Sequence, residues 1–183
     1  MRATTLAGVS LAAALVPLGS TVVAVSLVQV GADLGASPGT ATWLVTGYLA
    51  AMAVAQPLGG RAGDRWGHRR AFGAGLGAFL ALSVAAALAP SFAPLAAARA
   101  GQAVAGALML PNASAMIREG VAPGGRGRAF GVLATALALA AAAGPVVGGV
   151  VGGTLGWRAL FLAPVPAGLL AWALVGRPPP HGG

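Results

Sequence analysis

Three groups of residues in this chain could do chemistry. The first is the run Gly60-Arg61-Ala62-Gly63-Asp64-Arg65-Trp66-Gly67-His68-Arg69-Arg70, which holds four of the eleven Arg and one of the three acids. An Asp beside a helix end can accept hydrogen bonds from free N–H groups. It can also hold Arg partners in a network that forms in one conformation and breaks in another; equally, the Arg can do no more than fix orientation. The second group is Arg99 with Gln102, which shares a helix face with Gly106. A charge near the centre of a membrane helix costs about 2.5–3.5 kcal/mol on insertion scales and faces a cavity or a partner. Near Pro94, however, Arg99 is also within snorkelling reach of the outer surface. The third group is Gly144-Pro145-Val146-Val147-Gly148-Gly149, where Pro opens the backbone ladder and the glycines offer a smooth face to another helix.

The chemistry the sequence does not offer is as informative. There is no Cys, which excludes disulfides, thiol catalysis and Cys-ligated metals. The sequence shows no acid–base pair and no metal cluster, and His68 and His181 stand alone in a loop and a tail. The expectation is therefore no enzyme, no metal and no cofactor.

The elements that position these groups are membrane helices. Hydrophobic residues make up 57% of the chain and charged ones 8%, against about 25% charged in ordinary soluble domains. The net charge of +8 would suggest a nucleic-acid partner in a soluble protein, but the Arg cluster in short segments without interleaved aromatics. They read as topological charge, and no nucleic acid is expected. Uncharged runs cover 3–32, 40–59 and 71–98. Arg2 before an apolar stretch also fits a signal peptide, but the first run is long enough to span and more spans follow, so a retained helix is favoured.

Six spans are predicted near 6–30, 38–60, 71–89, 94–117, 129–152 and 157–176, with Ser37-Pro38 as N-cap and first residue of the second. Residues 1–177 form one transmembrane domain, and 178–183 a polar tail whose prolines cannot continue a helix. With the N-terminus inside, Arg2, Arg61, Arg65, Arg69, Arg70, Arg118, Arg126, Arg128 and Arg177 are inside, Arg158 is outside and Arg99 is within the membrane. Both termini are then cytoplasmic. There is a faint echo between Pro57-Leu58-Gly59-Gly60 and Pro145-Val146-Val147-Gly148-Gly149, and between Arg70-Ala71-Phe72 and Arg158-Ala159-Leu160-Phe161. The fold class expected is an all-α membrane protein of six helices, arranged as two inverted three-helix repeats.

The run from Gly60 to Arg70 resembles the loop 2–3 signature of the major facilitator superfamily, G-x-L-a-D-R-x-G-R-[KR], through Gly60, Asp64, Arg65, Gly67 and Arg69. Ala62 stands for its Leu and His68 for its Arg. Arg99 and Gln102 match the helix 4 motif R-x-x-Q-G-x-G-a-A, with Ala103 and Ala105 for two glycines. Gly144, Pro145, Gly148 and Gly149 match the antiporter motif G-x-x-x-G-P-x-x-G-G, with Ala140 for its leading Gly. Trp43 to Leu49, Arg126 to Gly131 and Gly156 to Phe161 resemble segments of the 14-helix drug:proton antiporter group. The first span departs: Thr21 is kept, but Gly19, Ala24 and Val28 replace the group's Asp, Asn and Pro.

The resemblance implies the N-terminal six-helix half of a multidrug exporter in a bacterial-type inner (plasma) membrane, exchanging an amphipathic organic compound for protons. It implies a cytoplasmic gate at Gly60, Asp64, Arg65, Gly67, Arg69 and Arg70, and proton coupling at Arg99. Gln102, Tyr48, Gln29 and Thr21 would share a cavity with Arg99. A second six- or eight-helix half, as a separate chain or a homodimer, would complete the transporter. The alternatives are a truncated fragment that transports nothing and a membrane module that pairs with another transporter half.

Overall fold

The computed structural model describes residues 1–175; Arg177, His181 and the 178–183 tail lie outside the described residues. Among the described residues seven α-helices follow one another: α1 (Ala3–Asp33), α2 (Pro38–Trp66), α3 (His68–Ala87), α4 (Phe92–Gly120), α5 (Arg126–Leu155), α6 (Trp157–Leu162) and α7 (Pro164–Val175). Five segments are long and apolar enough to cross a membrane: α1, α2, α3, α5 with the short 3-10 turn before it, and α6–α7 taken together. The fourth predicted span, α4, is as long as α2 but carries Arg99, Gln102 and Asn112 within it.

The helices run a few residues past most of the predicted spans, and two ends and one break depart in ways that matter to the site. The second span does not end at Gly60: α2 continues to Trp66, and the connection to α3 is the single residue Gly67, at φ +89°. Charged side chains at a helix end reach water without the helix having to stop, so the charge cluster did not mark a loop. Likewise α5 runs through Gly153 and Thr154 to Leu155, and Gly156 alone, at φ +81°, makes the turn. Such positive φ values are open to Gly at no steric cost and to few other residues. The sixth span is broken after Leu162. Pro164 and Pro166 have no N–H to donate within three residues of each other, which interrupts the helical ladder. The start of α2 is as expected: Ser37 Oγ accepts from Thr40 N–H at 3.2 Å, with Pro38 next.

The helices pack as α1 along α5 and α7, and α4 along α2 and α3. Glycine makes the closest approaches possible. A methyl at Gly59 would overlap the Ala107 carbonyl, and one at Gly144 would overlap the Thr21 hydroxyl. Two apolar clusters result. One is built on Val9, Leu15, Phe72, Leu76, Met109 and Ile117; the other on Val22, Leu44, Ala86, Leu95, Trp157 and Phe161. On α3 and α4 three buried polar residues, Ser83, Arg99 and Gln102, lie between the two clusters.

The ends of the bundle are chemically distinct. Contacts of Met1 with Gly120, His68 with Glu119 and Arg69 with Val175 gather one end. That end holds Arg2, Arg61, Arg65, Arg69, Arg70, Arg118, Arg126 and Arg128. The other is gathered by Trp157 on Asp33 and Arg158 on Ala89, and among the described residues Arg158 is its Arg.

Candidate functional site

Arg99 sits on the second turn of α4 and is 2% exposed. It does not snorkel; its side chain turns inward. Nε donates to the Leu44 carbonyl at 3.5 Å and one terminal nitrogen donates to Gln102 Oε1 at 3.0 Å. The guanidinium carbon lies 4.0 Å from the centre of the Tyr48 ring, a cation–π contact strengthened by the burial of both side chains. Gln102 Nε2 donates to Ser83 Oγ at 2.8 Å, and Ser83 in turn donates to the Phe79 carbonyl at 2.9 Å. The other terminal nitrogen of Arg99 has no hydrogen-bond partner although it is buried. Three helices thus converge on one cation: α2 through Tyr48 and Leu44, α3 through Ser83, α4 through Arg99 and Gln102. A buried guanidinium with spare donors can hold an anion or a lone-pair acceptor, or exchange its present acceptor for another.

Of the cavity residues expected from sequence, the structure brings together Arg99, Gln102 and Tyr48. It places Thr21 and Gln29 elsewhere. The Thr21 hydroxyl donates back to the Pro17 and Leu18 carbonyls of its own helix and packs on Gly144. Gln29 is exposed beside Gly152 of α5. The α1 position that nears the guanidinium is Gly19, where a Cβ would lie 4.0 Å from it. Ser83 escaped the sequence reading; its signal was a hydroxyl in an otherwise apolar run, at no recognisable spacing from Arg99.

At the arginine-rich end, Asp64, Arg65 and Arg70 are exposed, Gly60 is half-buried, and Arg69 donates to the Val175 carbonyl at the end of α7. His68, which the sequence left alone in a loop, is a junction. Its Nδ1 meets Asn112 Oδ1 at 2.8 Å, and its Nε2 lies 3.2 Å from Glu119 and 3.8 Å from Asp64. Asn112 is fully buried and donates to the Gly59 and Leu108 carbonyls at 2.9 and 2.7 Å. Gly63 leaves the space for this: a Cβ there would collide with Asn112 Oδ1.

In the third motif, Gly144 and Gly148 face α1, against Thr21 and Val22, with Gly152 continuing the stripe. Pro145 and Gly149 point away and are exposed.

A family model matches residues 9–183, that of the Major Facilitator Superfamily. The chain belongs to the Major Facilitator Superfamily. Facilitator-type relatives include the MFS-type transporter YvkA of Bacillus subtilis (strain 168), 38% identical over 156 residues, which span 85% of this chain and 35% of that protein. The tetracenomycin C resistance and export protein of Streptomyces glaucescens is 38% identical over 167 residues, 91% of this chain and 31% of that one. The chain thus spans about a third of the curated relatives it matches. Among solved facilitator structures, the D-xylose–proton symporter superposes with a TM-score of 0.82 at 16% identity, covering 96% of this chain and 48% of that one. The peptide transporter POT in complex with sulfate gives 0.82 at 23%, covering 94% and 36%. These likenesses show the fold. Membership makes this a multi-pass membrane protein of a transporter family, and points away from an enzyme.

Proposed function

We propose that this chain forms the N-terminal half of a proton-coupled exporter of amphipathic organic compounds. It spans a bacterial-type inner membrane with its arginine-rich end and both termini in the cytoplasm. Its helices form two inverted repeats, α1–α3 and α4–α7. The packing supports this: exchanging α1 with α4, α2 with α5, and α3 with α6–α7 turns the α1–α5 seam into the α4–α2 seam, and α3–α4 into α7–α1. The glycine turns Gly67 and Gly156 fall at matching junctions. Aligned on these turns, Gly67-His68-Arg69 falls against Gly156-Trp157-Arg158, one residue from the register that pairs Arg70 with Arg158.

The observation that carries the functional reading is Arg99. A cation held between three helices, stacked on Tyr48 and with one nitrogen unpartnered, is costly to keep in a membrane bundle unless it binds something there. Transport then alternates access by rocking this half against a second, with Arg99, Gln102 and Tyr48 responding to proton and substrate. Asp64, Arg65, Arg69 and Arg70 gate the cytoplasmic side, and the Gly144–Gly149 stripe sets how closely α5 follows α1. A second half is supported by the greater length of the relatives and by α2 and α5, the least buried spans. They expose Trp43, Val54 and Leu58, and Val146, Val150 and Leu155. Lipid covers such faces outside a bundle; a second half covers those beside the substrate path.

The test is efflux of an amphipathic cationic dye from loaded cells. Cells carrying this chain, a chain supplying six or eight further helices, or both are compared. Efflux with both and neither alone is the expected result. Efflux by this chain alone would sink the half-transporter reading, and retention in every combination would sink the exporter reading.

A further inference from the structure

The two ends of the bundle carry similar latches that differ in the ring that meets the acid, indole at one and imidazole at the other. At Gly156 the chain turns with positive φ; Trp157 Nε1 then donates to Asp33 Oδ2 at 2.9 Å, at the end of α1, and Arg158 donates to the Ala89 carbonyl at 3.2 Å, beyond α3. At Gly67 the chain turns the same way. His68 then reaches Glu119 at the end of α4, and Arg69 donates to the Val175 carbonyl at the end of α7. Each latch is a turn glycine, a ring nitrogen on an acid, and an Arg on a backbone carbonyl of another segment. An indole N–H is a permanent donor; an imidazole nitrogen donates only when protonated.

The hydrogen bonds fix where the protons of His68 are. Asn112 spends its amide donors on Gly59 and Leu108, so its oxygen is the acceptor and His68 Nδ1 is the donor. Neutral imidazole carries one N–H, so Nε2 would turn a bare lone pair toward two carboxylates, Glu119 at 3.2 Å and Asp64 at 3.8 Å. That contact is attractive only if a further proton is held there. The other charges at this end of the three helices are Arg61 and Arg65 on α2, Arg69 and Arg70 on α3, and Arg118 on α4. Arg2, before α1, lines the same surface hollow as Arg69 and Glu119. Asp64 and Glu119 are the acids within ion-pair distance of the ring.

We propose that His68, Glu119, Asp64 and Asn112 form a proton-binding latch at the arginine-rich end, closed while the imidazolium bridges α2, α3 and α4 and loosened when it loses its proton. The Trp157–Asp33 latch at the opposite end holds in either condition. The device deepens the gate reading above and rests on it only for its role in transport; the latch itself can be read without any substrate.

Hydrogen–deuterium exchange of the full chain in lipid nanodiscs, corrected for intrinsic exchange rates, reads both latches together. Between about pH 5.5 and pH 8 the wild-type peptides over 60–72 and 112–122 are expected to lose about tenfold in protection, while those over 30–36 and 154–161 do not change. His68→Arg, which keeps a permanent donor, should stay protected at both pH values. His68→Gln, which keeps no charge, should be open at both. A flat wild-type response, or the same pH response in His68→Arg, would overturn the latch whatever the efflux result. Loss of dye efflux with the exchange pattern intact would overturn the transport reading and leave the latch standing.

Discussion

The α2–α4 and α1–α5 seams are built alike and behave differently. Both use glycines to bring two long helices into backbone contact, Gly59 and Gly63 in one, Gly144 and Gly148 in the other. Both bury polar side chains. On the α1–α5 side, Thr21 and Ser26 hydroxyls donate back to carbonyls of their own helix, so they fill space and specify nothing about a neighbour. On the α2–α4 side, Asn112 donates to a carbonyl of α2 and accepts from α3, and Arg99 reaches α2 while its Gln102 partner reaches α3. Polar groups satisfied within a helix tolerate sliding; those satisfied between helices fix register and break together. The polar bonds between helices are therefore concentrated on α2, α3 and α4.

The largest expected effect is on that side. Arg99→Ala should reduce dye efflux by the assembled transporter to background. Arg99→Lys should not restore it, because one ammonium cannot serve Leu44 and Gln102 together and stack on Tyr48. Next come the glycines. Gly63→Ala and Gly144→Ala should each destabilise the chain by about 1–3 kcal/mol, read as a fall in thermal midpoint in detergent. The seams then separate in double variants. Thr21→Gly, which removes both the hydroxyl and the Cβ that crowd the new methyl, should rescue part of Gly144→Ala, whereas Asn112→Ala should not rescue Gly63→Ala, because His68 still meets that methyl. Equal rescue on both sides would erase the distinction. Asn112→Ala alone should cost about 1–3 kcal/mol by stripping bonds to three helices, and Thr21→Val about 0.5 kcal/mol or less.

How far the sequence carried these conclusions depended on what each residue type reports. Hydropathy and charge pointed to long apolar helices, because crossing a bilayer demands long uncharged runs, and five such segments stand among the described residues. Ser37-Pro38 placed the start of α2 because a cap is a local device. The end of α2 was not legible: Gly63 reads as a loop residue, yet it serves helix contact, and that reason, Asn112, lies on α4, some fifty residues away. Arg99, Gln102 and Tyr48 could be named because their types are rare in a membrane helix. Thr21 and Gln29 have equally plausible types but point toward α5, and residue type says nothing about direction when each step along a helix turns about 100°. His68 looked isolated because both of its partners on α4 lie over forty residues away.

The central claim is that Arg99, held between α2, α3 and α4, couples protons to transport. The direct measurement is proton movement into proteoliposomes carrying the complete transporter and a pH-sensitive dye, triggered by adding substrate. The account predicts a substrate-dependent proton flux in the wild type. In both Arg99→Ala and Arg99→Lys that flux should be absent, while the Thr21→Val protein retains it. Unchanged flux in Arg99→Ala would contradict the claim.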